Sequence, residues 1–279
     1  MSYISRYGLI IVAVLLILIY WPTFVWMNAR FTEADTYYSH GYLVPFVFAY
    51  LIWIKRDELR KCAVRPVDLS LLIFVPALLI HLLAYFFEIN FVSGFTLIVV
   101  LFGLALYLFG TETAKKVAFP IVFLVFMVPL PQVMIINISF KMKMMAAQVA
   151  TTIVNLMGIH AIRDGSIVHL KPETSLIIGS PCSGLSSLIA LTALGALYAY
   201  LVKMSGIRKL VLFALSIPVA LIANILRIVL LLLVGFAYDA KVATGEFVHG
   251  FLAFLLYVFA IAGLIIVGRM LSWGRKTST

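Results

Sequence analysis

"LVLFALSIPVALIANILRIVLLLLVGF", residues 210–236, contains one charged residue, Arg227, and no acidic one. A helix crosses a bilayer's hydrocarbon with about 20 predominantly apolar residues, so this run reads as a membrane span. The rest of the chain repeats the pattern, with apolar runs at 8–27, 37–54, 67–87, 91–110, 117–136, 182–202 and 249–268. The expected fold is therefore all-α and polytopic, with about eight transmembrane helices.

Composition agrees. The 279 residues are 64% apolar and only 11% charged, with a mean hydropathy of +1.14; soluble domains are nearer half apolar and a quarter charged. The net charge of +10 does not point to nucleic acid, because the basic residues cluster between the apolar runs. Two cysteines, Cys62 and Cys182, imply no disulfide framework. The first run follows Arg6 and is not trailed by an A-x-A site, so it reads as an uncleaved span rather than a signal peptide.

Every second loop is basic: Lys55, Arg56, Arg60, Lys61 and Arg65; Lys115 and Lys116; Lys203, Arg208 and Lys209; then Arg269, Arg275 and Lys276. The positive-inside rule makes these loops cytoplasmic. The alternate loops carry Glu33 and Asp35, then Glu88, then Asp239 and Glu246. Both termini come out cytoplasmic in a single integral membrane domain, 1–279, placed in the cytoplasmic (inner) membrane. Its parts are N-terminal spans (1–136), an outer-face region (137–180) and a last group of spans (181–279).

A ninth span at 137–157 would invert everything after it. That segment, with Lys141 and Lys143, is read instead as an amphipathic helix on the outer face. Behind it, "GIHAIRDGSIVHLKPETSLIIGS" (158–180) places the turn pair Asp164-Gly165 between β-branched runs, a hairpin signal. An open two-stranded element cannot face lipid, so it forms a small extracytoplasmic cap above Cys182.

Three polar residues then fall at one depth. In "SPCSGLSS" (180–187), Ser180 is a good N-cap and Pro181 suits the first helical position. Cys182 is thus expected in the first turn of span six, where the helix dipole and free N–H groups favour thiolate. Ser183 and Gly184 add donors and room for close approach. An inert buried cysteine is the plain alternative. In "NILR", Asn224 and Arg227 lie three apart on one helical face. Arg227 is about 27 Å along the helix from Lys209 at 1.5 Å per residue, near the outer interface, where the alternative role is snorkelling to headgroups. His249, in "EFVHGF", opens the last span at the same edge. A cysteine, a base and a cationic donor form the minimum set for thiol acyl transfer. Two further residues could join the pocket: His40 in "YYSHGY", and Glu246, three residues before His249, which could orient the imidazole.

The ordered set "PCSGL", "NILR" and a histidine opening the last span resembles the exosortase/archaeosortase family. "SHGYLVPFVFAYLIW" (39–53), "PLP" (129–131) and the "GIHAIRDG" turn extend the likeness. Ser186 departs from it, since many members carry arginine after C-S-G-L. The resemblance implies a membrane cysteine transpeptidase with Cys182 as nucleophile, His249 as general acid/base and Arg227 holding the oxyanion or the scissile carbonyl, assisted by Asn224. It implies partners that are exported proteins ending in a sorting signal: a short motif, a transmembrane helix and a basic tail. The acceptor is an unknown nucleophile, whether lipid, glycan or peptide amine; membrane lipids are the surroundings, and no nucleic acid, metal or cofactor is expected. The active site would lie on the outer face. The alternative is a transporter or lipid flippase whose Arg and His line a pathway; a metalloprotease is disfavoured by the absence of H-E-x-x-H.

Overall fold

The computed structural model describes residues 6–33, 36–172, 174–179 and 182–272. Asp35, Ser180, Pro181, Arg275 and Lys276 lie outside the described residues. The chain divides into two compact units, Met1–Pro131 and Gln132–Thr279.

The first unit opens with α1 (Arg6–Ile19) and α2 (Trp21–Thr32). They form one apolar path bent by 59° at Tyr20, because Pro22 has no N–H to continue the ladder. A 3₁₀ turn (Ser39–Tyr42), α3 (Leu43–Ile54) and the short α4 (Arg56–Arg60) follow, then a helical hairpin of α5 (Leu71–Phe86) and α6 (Asn90–Phe109). Gly103 lets the hairpin close, since its Cβ position lies 3.2 Å from the Phe74 backbone. α7 (Thr111–Phe123) continues into a 3₁₀ turn, Leu124–Met127.

Here the structure corrects the reading of 117–136 as one span. The helix stops, Val128 is extended at ψ 112°, and Pro129 and Pro131 follow. Each proline lacks an N–H and pushes its predecessor out of helical geometry. Residues 132–136 instead begin α8 (Gln132–Leu156). Residues 137–156 are thus the greater part of one longer helix rather than an element of their own. That helix, of 25 residues, is long and apolar enough to cross a membrane.

Among the described residues, five helices meet that standard: Asp68–Phe86, Asn90–Phe109, Gln132–Leu156, Gly206–Ala237 and Glu246–Ser272. The bent α1–α2 pair makes a sixth, and Ser39–Ile54 and Leu185–Leu201 are apolar but shorter. The protein is a multi-pass, mostly helical membrane protein.

The second unit continues from α8 into β1 (Ile162–Asp164), β2 (Ile167–Lys171) and β3 (Thr174–Ile177), an antiparallel sheet in order β1-β2-β3. The hairpin is where the sequence places it, but Asp164 pairs with Ile167. The two-residue turn is therefore Gly165-Ser166, with Gly165 at φ +58°, the first-position glycine of a tight hairpin. The third strand is an addition. Then come α9 (Leu185–Leu201), α10 (Gly206–Ala237), α11 (Ala240–Thr244) and α12 (Glu246–Ser272).

α10 is the axis of this unit, packing against α8, α9, α11, α12 and the sheet. At 32 residues it is about 48 Å long, well beyond the ~30 Å hydrocarbon, and the sheet covers the excess. Alternate residues Val168, Leu170, Leu176 and Ile178 turn inward onto Ile228 and Leu232 of α10 and Val154 of α8. Lys171 Nζ donates to the Phe236 carbonyl at 2.6 Å, occupying an end carbonyl that α10 leaves unpaired. Farther along, Leu191, Ala220, Ala223, Leu256 and Ala260 join α9, α10 and α12.

Candidate active site

Cys182 lies in the turn ahead of α9, not in its first turn as the sequence implies. α9 begins at Leu185 with Gly184 as N-cap, at φ +78° in the left-handed region. That conformation ends the helix backward and is accessible to glycine at little cost. Its missing side chain also matters, because a Cβ there would overlap the carboxamide of Asn224. Asn224 Nδ2 donates to the Cys182 carbonyl at 3.3 Å, and the Cys182 N–H donates to the Gly179 carbonyl at 3.1 Å. The turn is thereby pinned to α10. Asn224 Oδ1 is buried with no hydrogen-bond partner among the described residues.

Cys182 is 6% exposed and belongs to the core under the sheet. Burial pushes its pKa up, because a desolvated thiolate is disfavoured. The charge of Arg227 and the hydrogen bond to Gly179 pull it down by less. A nearby guanidinium thus supplies the attraction that the sequence assigns to a helix dipole.

Arg227 lies one turn beyond Asn224 on the same face of α10 and is buried at 5% exposure. A lone arginine in a span could instead snorkel outward; this one turns inward. Its Nη2 donates to His249 Nε2 at 2.7 Å. Because a guanidinium has no acceptor, Nε2 must carry the lone pair, which assigns the imidazole proton to Nδ1. His249 is the fourth residue of α12, half-buried, with its N–H bonded to the Gly245 carbonyl at 2.9 Å.

Cys182, Arg227, His249 and Asn224 are thus brought to one end of the second unit. Among the described residues, no hydrogen bond joins the thiol to His249; such contacts often tighten only with substrate. Ser183 is buried, its Oγ 3.4 Å from the Leu185 N–H. Glu246 is exposed at the first position of α12, and makes no ion pair with His249 among the described residues.

His40 lies in the first unit, on the 3₁₀ turn, stacked on Tyr38 with ring centroids 5.9 Å apart. That unit also holds a polar cluster the sequence reading passes over. His81, 2% exposed, shares a hydrogen bond with Ser93 Oγ at 2.8 Å and donates from Nε2 to the Ile19 carbonyl at 3.2 Å. Thr23 Oγ1 meets Ser93 Oγ at 2.5 Å. The cluster ties the α1–α2 bend to the α5–α6 hairpin. Its available signal was an ionisable residue inside an apolar run.

Among curated proteins and among solved structures, no match to this chain is found. The model of the transmembrane exosortase family matches residues 26–266, a stretch that includes the buried cysteine and its arginine and histidine neighbours. Because that match takes in most of the chain, the chain belongs to the transmembrane exosortase family.

Proposed function

We propose that this protein is a cysteine transpeptidase that cuts a C-terminal sorting signal of exported proteins, between its short motif and its transmembrane helix, through a thioester on Cys182. Family membership carries the general part, since exosortases are membrane sorting transpeptidases acting on exported proteins with C-terminal sorting signals. The observation that favours the finer reading is the contact of Arg227 with His249, with the charge of Arg227 also bearing on the Cys182 thiol.

In the resting arrangement Arg227 occupies the lone pair of His249 Nε2. A substrate carbonyl entering the site draws Arg227 away, because its oxygen accepts the same N–H groups more strongly as negative charge develops. His249 Nε2 then takes the proton of Cys182, and the thiolate electron pair forms the C–S bond. Collapse of the tetrahedral intermediate breaks the C–N bond. The departing amine leaves with the proton held by His249, and the thioester remains. The acceptor's nucleophilic N–H or O–H gives its proton to His249 as it attacks; the C–S bond breaks, and Cys182 recovers the proton. Asn224 holds the nucleophile's turn in place, while Arg227 as an oxyanion donor contributes roughly 10²–10³ in rate. The active site faces the outer side of the cytoplasmic membrane, with the basic loops inside.

The test is co-expression of Cys182→Ala with a tagged exported protein ending in motif, apolar helix and basic tail. The uncut precursor accumulates under this reading. Normal processing without the thiol would remove the transpeptidase and favour a transporter.

A further inference from the structure

The first unit encloses an apolar groove of about 1020 Å³, at the upper end of ligand clefts, which run roughly 300–1,000 Å³. Leu9 and Leu16 of α1, Ile52 of α3, Leu104 and Leu108 of α6 and Val117 of α7 are among its walls. Its lining includes three side chains with polar atoms: Arg60, Cys62 and Thr113. All three lie at one end. Arg60 is the last residue of α4, Cys62 follows it in the α4–α5 loop, and Thr113 lies in the first turn of α7, just past the C-terminus of α6. A hollow of this size, left empty, forfeits dispersion contacts along its whole lining. An occupant that matches this lining is mostly apolar, with a polar group at the end of Arg60, Cys62 and Thr113.

Charge selects which end. Around Arg60 stand Lys55, Arg56, Lys61 and Arg65 against Asp57 and Glu58, and α7 adds Lys115 and Lys116 against Glu112, whose Oε2 accepts from the Ala63 N–H at 3.3 Å. Lys55 Nζ is held by the Lys116 carbonyl at 2.9 Å, and Lys116 Nζ by the Glu58 carbonyl at 3.3 Å. Both ammonium groups therefore stay at this end. Asp57 approaches Arg60 at 3.8 Å and Arg56 at 3.9 Å, but these are exposed pairs, and such pairs hold weakly. The Arg60 guanidinium can turn to an anion, and its planar fork suits the oxygens of a phosphate. A basic-tailed peptide helix would meet like charge there, and a choline headgroup would add another cation.

We propose that this groove binds one anionic phospholipid, its acyl chains between α1, α3, α6 and α7 and its phosphate against Arg60. All of its residues belong to the first unit.

The full-length protein in detergent micelles is equilibrated with phosphatidylglycerol or phosphatidylcholine of identical chains, and retained lipid is counted by native mass spectrometry. One phosphatidylglycerol per protein is expected, with at least tenfold weaker retention of phosphatidylcholine. Arg60→Glu, an exposed change, should cut phosphatidylglycerol retention at least tenfold while the melting temperature stays unchanged. Ala49→Trp, which fills the groove, should remove both lipids. Equal retention of the two lipids overturns the proposal, as does phosphatidylglycerol binding indifferent to Arg60→Glu. Preferential capture of a synthetic leucine–alanine helix with a lysine tail overturns it in favour of a peptide occupant.

Discussion

Arg227 and His249 approach from two different helices, Nη2 to Nε2 at 2.7 Å, and the same arginine acts electrostatically on Cys182. One residue thus links the candidate base to the candidate nucleophile. Its Nη2–H covers the lone pair of the imidazole Nε2.

Cys182→Ser removes the acidic, polarisable nucleophile but keeps size and position. Cleavage of a sorting-signal substrate should fall at least 10³-fold, close to the Cys182→Ala level, because His249 must then deprotonate a far weaker acid. Processing followed by gel shift measures it. Activity within tenfold of the parent would mean that the thiol is not the attacking group.

Arg227→Lys retains the positive charge and loses the fork. If Arg227 grips the carbonyl through two N–H groups, kcat should fall about 10²–10³-fold with the protein still folded. A lysine variant with parental kcat would reduce Arg227 to a simple charge.

The pH at which Cys182 becomes reactive follows from its surroundings. Burial raises the thiol pKa and Arg227 offsets part of that, so thiolate appears only above the ordinary thiol range. In a Cys62→Ser background, alkylation by iodoacetamide should rise with a midpoint above that of a free thiol. Arg227→Gln should move the midpoint higher still. A midpoint below the free-thiol value would contradict the dominance of burial.

Gly184→Ala forces a side chain into a left-handed backbone and into the Asn224 carboxamide. The backbone alone costs about 1–2 kcal/mol, and the turn carrying Cys182 must also shift. A lower melting temperature and loss of activity together are expected. Gly206→Ala has open space around its Cβ and serves as the neutral comparison; equal behaviour of the two variants would refute the argument.

Sidedness is checked on residues more accessible than Cys182. Asp164→Cys on the hairpin and Lys61→Cys on the basic loop are both exposed. In intact cells, an impermeant maleimide should label Asp164→Cys at once and Lys61→Cys only after permeabilisation. The reverse pattern would put the candidate site on the cytoplasmic side.

Hydropathy made the helices of 206–237 and 246–272 legible, since long apolar runs have few other solutions in a membrane. It failed at Pro129 and Pro131, where an apolar average hid two backbone breaks, and so fused the end of α7 with the start of α8. β3 went unread because Thr174–Ile177 runs into the apolar stretch before α9, with no turn pair as clear as Asp164-Gly165. At the site, counting residues along spans gave a common depth for Cys182, Arg227 and His249. Depth is one coordinate; the rotation of each helix about its axis is another, and no one-dimensional pattern supplies it. The Arg227–His249 contact, and the placement of Asn224 behind Gly184, needed the packed helices.

The separation of the site's groups along the chain also sets a schedule. Cys182 stands ahead of α9, Arg227 on α10 and His249 on α12. During synthesis at about 5–20 residues per second, several seconds pass between the emergence of Cys182 and that of His249. Throughout that interval, under the proposed mechanism, the nascent chain has the thiol but lacks His249 as its base. On the proposed mechanism, competence arrives only with insertion of α12, and a chain stalled before that helix cannot be acylated by a passing substrate.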